Sequence, residues 1–103
     1  ISISVADYIT VADSQYKVIE IGDGAFYNCY YLQNIELPST LRNIGYAAFA
    51  KCSNLENIVF PDNLEVIEKD AFALCSGLTS LYIPANVVEL GNSHDSKCVF
   101  ILQ

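Results

Sequence analysis

Four cysteines, Cys29, Cys52, Cys75 and Cys98, stand 23 residues apart, and sliding the chain by that interval superposes far more than sulfur. Ala25-Phe26 recurs as Ala48-Phe49 and Ala71-Phe72, Leu32 as Leu55 and Leu78, and Pro38 as Pro61 and Pro84. Five columns are thus identical in three successive copies, where ~0.1 would be expected of residue types drawn at random. Conservative columns add Ile35, Ile58 and Leu81; Leu37, Phe60 and Ile83; Leu41, Leu64 and Val87; and Ile44, Ile67 and Leu90. The units run 18–40, 41–63 and 64–86, with a partial fourth from Val87. A unit this short cannot bury its own apolar face, so successive units must stack and share one continuous core.

Each unit reads L-x-x-I-x-x-x-A-F-x-x-C-x-x-L-x-x-I-x-L-P. In Leu55-Glu56-Asn57-Ile58-Val59-Phe60-Pro61, Ile58 and Phe60 alternate with Asn57 and Val59, the period of a half-buried strand. Pro61 closes it, having no N–H to continue a ladder. The second half carries apolar residues at Leu64, Ile67, Ala71, Phe72 and Cys75. Those spacings suit a tight helical or 3₁₀-like turn, while Leu64 to Ile67 fits a short extended segment equally well. Coils stacked about 4.8 Å apart then form a right-handed solenoid with a parallel β-sheet on one face. Short turns or helical segments are expected on the other.

The runs Ile21-Gly22-Asp23-Gly24-Ala25-Phe26, Ile44-Gly45-Tyr46-Ala47-Ala48-Phe49 and Ile67-Glu68-Lys69-Asp70-Ala71-Phe72, each continuing to C-x-x-L-x-x-I-x-L-P, resemble the BspA-like leucine-rich repeat family of bacterial surface proteins. The match extends from Val18 to Leu90 and implies a leucine-rich-repeat solenoid of 23-residue coils. Glu68 departs from the pattern by replacing the glycine, a tolerable local change. In the fourth unit His94-Asp95 replaces Ala-Phe, so the solenoid is expected to loosen or end near 92–97. Ile3-Ser4-Val5-Ala6 resembles the I-x-L-P strand, but the following segment is too long to be a repeat turn. Ile9 to Val11, Asp13 and Tyr16 suggest an extra hairpin over the first coil, where an open sheet would otherwise expose unpaired backbone. The expected organisation is a capping strand and hairpin over 1–17, repeats over 18–91, and a degenerate last repeat over 92–103.

Chemistry is sparse. With 103 residues the chain makes one small domain, and 52% hydrophobic against 17% charged residues excludes disorder. A formal net charge of −7, with Lys17, Arg42, Lys51, Lys69 and Lys97 scattered, argues against nucleic acid. No apolar run approaches the ~20 residues that span a bilayer, so no membrane insertion is expected of this segment. The chain has neither an initiating Met nor a signal-peptide pattern at its start, which reads as a mature or excised segment of something longer. Zinc ligands come in close pairs, whereas these cysteines form a line. In-register stacking would set neighbouring Cβ atoms near 4.8 Å, outside the ~3.5–4.5 Å a disulfide prefers, so Cys29, Cys52 and Cys75 are expected as buried, unlinked thiols. The single histidine, His94, sits in the loop-like run Gly91-Asn92-Ser93-His94-Asp95-Ser96, and no phosphate loop, HExxH or G-x-S-x-G occurs. No catalytic residue, cofactor or metal is expected, and the chain is read as non-enzymatic.

Two surfaces remain as candidate contact sites. The sheet's outward columns are Asn34, Asn57 and Ser80, and Glu36, Val59 and Tyr82; in solenoids such columns form an extended binding face. Tyr27, Tyr30 and Tyr31 crowd the first repeat, where later copies have Ala50, Ser53 and Asn54, then Ala73, Ser76 and Gly77. Such a cluster either marks a contact surface or packs against the amino-terminal cap. The family resemblance implies a cell-surface or secreted location and adhesion through protein or glycan partners. The alternative is a structural spacer that presents another domain and has no ligand of its own.

Overall fold

The computed structural model describes residues 2–78, 82–91 and 101–102. Strands follow as β1 (Ser2–Ser4), β2 (Tyr8–Val11), β3 (Ser14–Lys17), β4 (Glu20–Ile21), β5 (Asn34–Glu36), β6 (Asn43–Ile44), β7 (Asn57–Val59), β8 (Val66–Ile67), β9 (Tyr82–Ile83), β10 (Glu89–Leu90) and β11 (Ile101–Leu102). Two parallel sheets carry the repeat. In one, β5 lies between β1 and β7, with Asn34 opposite Asn57 and Glu36 opposite Val59. In the other, β4, β6, β8 and β10 stand side by side, pairing Ile21 with Ile44, Ile44 with Ile67, and Ile67 with Leu90. Every partner in that second sheet is one 23-residue period away. β11 pairs with β9, Ile101 opposite Tyr82. The chain's expected loosening near 92–97, including His94 and Asp95, lies outside the described residues.

On the side opposite the first sheet, the two expected alternatives of turns or helical segments resolve to turns. That side opens with the second sheet and continues in turns, and no helix occurs among the described residues. The reason lies in the backbone. Gly24, Ala47 and Asp70 occupy one column with φ of 63°, 53° and 58°, and Asn28, Lys51 and Leu74 another with φ of 59°, 63° and 59°. Two left-handed residues per coil, four apart, cannot belong to a right-handed helix. Apolar spacings of three and four are therefore met by a turn that keeps Ala, Phe and Cys on the core side.

The turn divides its hydrogen bonds between two directions. Ala25, Tyr27 and Cys29 donate N–H to carbonyls three residues back, those of Gly22, Gly24 and Phe26 (3.1, 3.0 and 3.2 Å). The intervening Gly24, Phe26 and Asn28 donate instead to Tyr46, Ala48 and Ala50 of the next coil (2.9, 2.7 and 2.8 Å). One period later Ala47, Phe49 and Lys51 repeat this toward Lys69, Ala71 and Ala73. The backbone of a non-strand segment is thus satisfied, half locally and half by its neighbour.

Inside, Leu32, Leu41, Ile44, Phe49, Leu55, Leu64, Ile67 and Phe72 are fully buried. Phe26, Phe49 and Phe72 stack face to face at 5.1 and 5.2 Å, nearly parallel, and Phe60 meets Phe72 edge-on at 5.6 Å. Gly45 has to be glycine, because a Cβ there would stand 2.5 Å from Asp23 Oδ1 and 2.8 Å from its backbone nitrogen. Glu68, at the same column, keeps the coil-to-coil bond from its N–H to Ile44 (2.9 Å), and its carboxylate accepts from Asn43 Nδ2 (3.0 Å).

At the amino end, β1 joins the first sheet as its outer strand. β2 and β3 form an antiparallel hairpin through Ala12 and Asp13, both at positive φ (48° and 67°). Tyr8, Ile9 and Tyr16 are exposed on it, so the hairpin stands away from the coil, not laid flat over it. Asp7 fixes its base: the carboxylate accepts from the Ser39 N–H (3.0 Å) and hydroxyl (3.1 Å), and the Asp7 carbonyl accepts from Val18 N–H (2.7 Å).

Two outcomes are expected in denaturant melts. Phe49→Ala should cost about 3–5 kcal/mol, because the ring is covered on both faces, and Phe26→Ala clearly less, because Phe26 is only half-buried. Gly24→Ala should cost about 1 kcal/mol through its backbone alone, since a Cβ there meets nothing nearer than Tyr27 Cβ at 3.9 Å. Ala47→Gly, in the same column, should stabilise.

Candidate functional site

The first sheet turns outward a ladder of short polar side chains. Asn57 Nδ2 donates to Asn34 Oδ1 (3.1 Å), Asn34 Nδ2 to Ser2 Oγ (3.3 Å), and Ser4 Oγ to Glu36 Oε1 (3.0 Å). In-register strands produce this arrangement, because like positions of successive coils face each other across the sheet. The ladder ends at an apolar position: Val59, opposite Glu36, is 79% exposed. One period on, Tyr82 is 66% exposed. Ser2, Ser4, Asn34, Glu36, Asn57 and Val59 line an open depression of ≈ 610 Å³ on this face. Five of the six expected sheet-face residues are thus described, and Ser80 lies outside the described residues.

Tyr27, Tyr30 and Tyr31 are all exposed, but they do not form one cluster. Tyr30 and Tyr31 meet edge to face at 5.7 Å. A side-chain hydrogen bond with Cys29 holds the Tyr31 hydroxyl above its usual pKa range. Tyr27 belongs elsewhere: the Lys51 ammonium lies 5.5 Å from its ring centre, and the ring joins Tyr46, Ala47, Ala50, Asp70, Ala73 and Leu74 around a second depression of ≈ 270 Å³. The column of Tyr27 is therefore not uniformly outward, since Ala50 is buried. Tyr46 was not a sequence candidate, because its column reads Asp23, Tyr46, Lys69 and carries no repeat signal.

The cysteine column is structural. Cys52 and Cys75 are fully buried and in no disulfide, whereas Cys29 is half-buried, contrary to the expectation that all three are enclosed. Cys29 lies in the first full repeat, whose turn has no preceding repeat turn against it. Cys98 lies outside the described residues. Cys52 Sγ donates to the carbonyl of Phe26 and Cys75 Sγ to that of Phe49, both at 3.0 Å, so each thiol ties its coil to the preceding one. Burial pushes the Cys52 thiol up to about 11. No group of three or more His, Cys, Asp or Glu side chains placed to hold a metal occurs among the described residues, and no helix there is long and apolar enough to cross a membrane.

Parallel coils in register, polar outward columns and an enclosed apolar spine define a leucine-rich-repeat fold. The chain belongs to the BspA-type leucine-rich repeat family, whose six-copy repeat region matches residues 6–101. No curated protein matches it. Among solved structures it is similar to a leucine-rich repeat protein from Bacteroides capillosus, at 27% identity and TM-score 0.87 over 99% of this chain and 76% of that one. A T. pallidum leucine-rich repeat protein shares 32% identity at TM-score 0.68, over 85% of this chain and 51% of the other. A leucine-rich cell surface protein from Faecalibacterium prausnitzii shares 25% identity at TM-score 0.78, over 99% of this chain and 35% of its own length. The chain thus spans three quarters of one relative and about half or a third of the others.

Thiol labelling checks the cysteine column. In the native protein Cys52 and Cys75 should label only on unfolding, and Cys29 faster than either. Raising the folded pKa of Cys52 makes unfolding release a proton once the unfolded thiol ionises, so stability should be flat below about pH 8.5 and fall toward pH 11. Cys52→Val should lessen that fall in pH-dependent melts.

Proposed function

We propose that the chain is a non-enzymatic repeat module of a bacterial cell-surface or secreted protein, serving adhesion by engaging a protein or glycan partner across its sheet face. The observation that carries this is Val59, an almost fully exposed apolar side chain on a sheet whose other outward residues are polar. Stacked strands hold Asn34, Glu36, Asn57 and Val59 at fixed spacing, so little side-chain entropy remains to be lost on binding. Tyr82 adds a large rigid ring one period further along, and Tyr30 and Tyr31 offer a second aromatic edge. The organisation that goes with this proposal is a capping segment over 1–17, right-handed 23-residue coils over 18–91 and a degenerate last repeat over 92–103. Membership of the family and the likeness to a named cell-surface protein support a surface location.

One observation favours the spacer alternative. The ladder Ser2–Asn34–Asn57 and the pair Ser4–Glu36 satisfy each other, leaving less of that face in need of a partner. Binding of the chain to immobilised extracellular-matrix proteins and to a glycan array separates the two. Adhesion predicts at least one ligand, whose affinity falls about tenfold or more in Val59→Glu and in Tyr82→Ala. Absence of binding throughout would favour the spacer.

A further inference from the structure

We propose a second binding site, on the turn side away from the sheet, that takes a neutral saccharide ring between Tyr27 and Tyr46. The two tyrosines, 49% and 50% exposed, stand at the depression whose floor is Ala47, Ala50 and Ala73. Small residues occupy that floor where the first coil has Gly24 and Tyr27 itself, so the recess begins where the tyrosine column stops. An aromatic wall and a methyl floor suit a ligand with an apolar face, since aromatic rings contribute large contact area at low entropic cost.

Polar chemistry at the rim narrows the ligand further. A peptide laid along the recess would seek backbone partners, and the floor's are already engaged. Ala50 and Ala73 donate N–H to Ala47 and Asp70, while their carbonyls accept from Asn28 and Lys51. Recognition therefore falls to side chains. A cation is opposed by Lys51, which already lies over the Tyr27 ring. An anion is opposed by the Asp70 carboxylate and by the net charge of −7. A neutral polyhydroxylated ring meets all three conditions: its C–H face rests on a tyrosine, and Lys51 donates to one of its hydroxyls.

The site is independent of the sheet-face proposal, and the experiment keeps the two apart. Saturation-transfer NMR is run on the full chain with the methyl glycosides of glucose, galactose, mannose and N-acetylglucosamine, with tetramethylammonium and an unrelated extended peptide as controls. The expected result is transfer to the ring C–H protons of at least one glycoside. That transfer should fall about fivefold or more in Tyr27→Ala and Tyr46→Ala, and persist in Tyr82→Ala. Both tyrosines are exposed, so unchanged thermal melts would show that the variants remain folded. Lack of transfer from all four glycosides, transfer indifferent to both tyrosines, or transfer only from tetramethylammonium or the peptide would each overturn the proposal.

Discussion

Registered stacking is the constraint on which everything else depends. The turns at 24–28 and 47–51 send every second N–H to the following coil, and the three phenylalanines lie over one another with their planes within 4°. Neither feature tolerates a slip: sliding one coil by a residue would swap locally satisfied N–H groups for axial ones and would lift Phe49 off both neighbours. The thiols of Cys52 and Cys75 join the same system, each closing on a carbonyl of the coil before it. The core is a set of columns, and each column carries its own kind of contact: face-to-face rings, thiol to carbonyl, isoleucine to isoleucine.

That arrangement also explains the division between what is interchangeable and what is not. Outward columns vary freely, as from Glu36 to Val59, because their side chains face solvent or each other. Inward columns are nearly fixed. Gly45 is fixed for a different reason, since the previous coil's Asp23 occupies the space a side chain would need.

Much of the fold was legible in the sequence because identity at a fixed interval reports directly on stacking. Leu32, Leu55 and Leu78, with Phe49 and Phe72, were recognisable as core from recurrence alone, and all five are buried. The second sheet was legible only as one of two alternatives for Leu64 to Ile67, because Asn43-Ile44 and Val66-Ile67 are too short to show alternation. The turn was ambiguous for a physical reason: spacings of three and four describe one side of a helix, and only the left-handed φ of Ala47 and Lys51 distinguishes it from this turn. Those residues carry no conformational signature, unlike Gly24 in the same column. Of the candidate surfaces, the sheet columns followed from the strand period. The tyrosines were visible as an excess, but their separation into a Tyr30–Tyr31 pair and a Tyr27–Tyr46 groove depends on the turn's geometry.

The alternation of N–H groups along each turn bears on how such a chain can change length over generations. Deleting or adding one residue between Gly24 and Asn28 would shift every later donor by one place, pointing axial groups inward and local ones outward. Neighbouring coils would lose their bonds together. A whole unit removed or inserted leaves the parity untouched, because the new coil receives and passes on the same three bonds as the old. The natural unit of descent in this fold is therefore the coil, and genetic tolerance should be granular: single-codon indels purged from the turns, duplications of one period neutral, and drift confined to the outward columns.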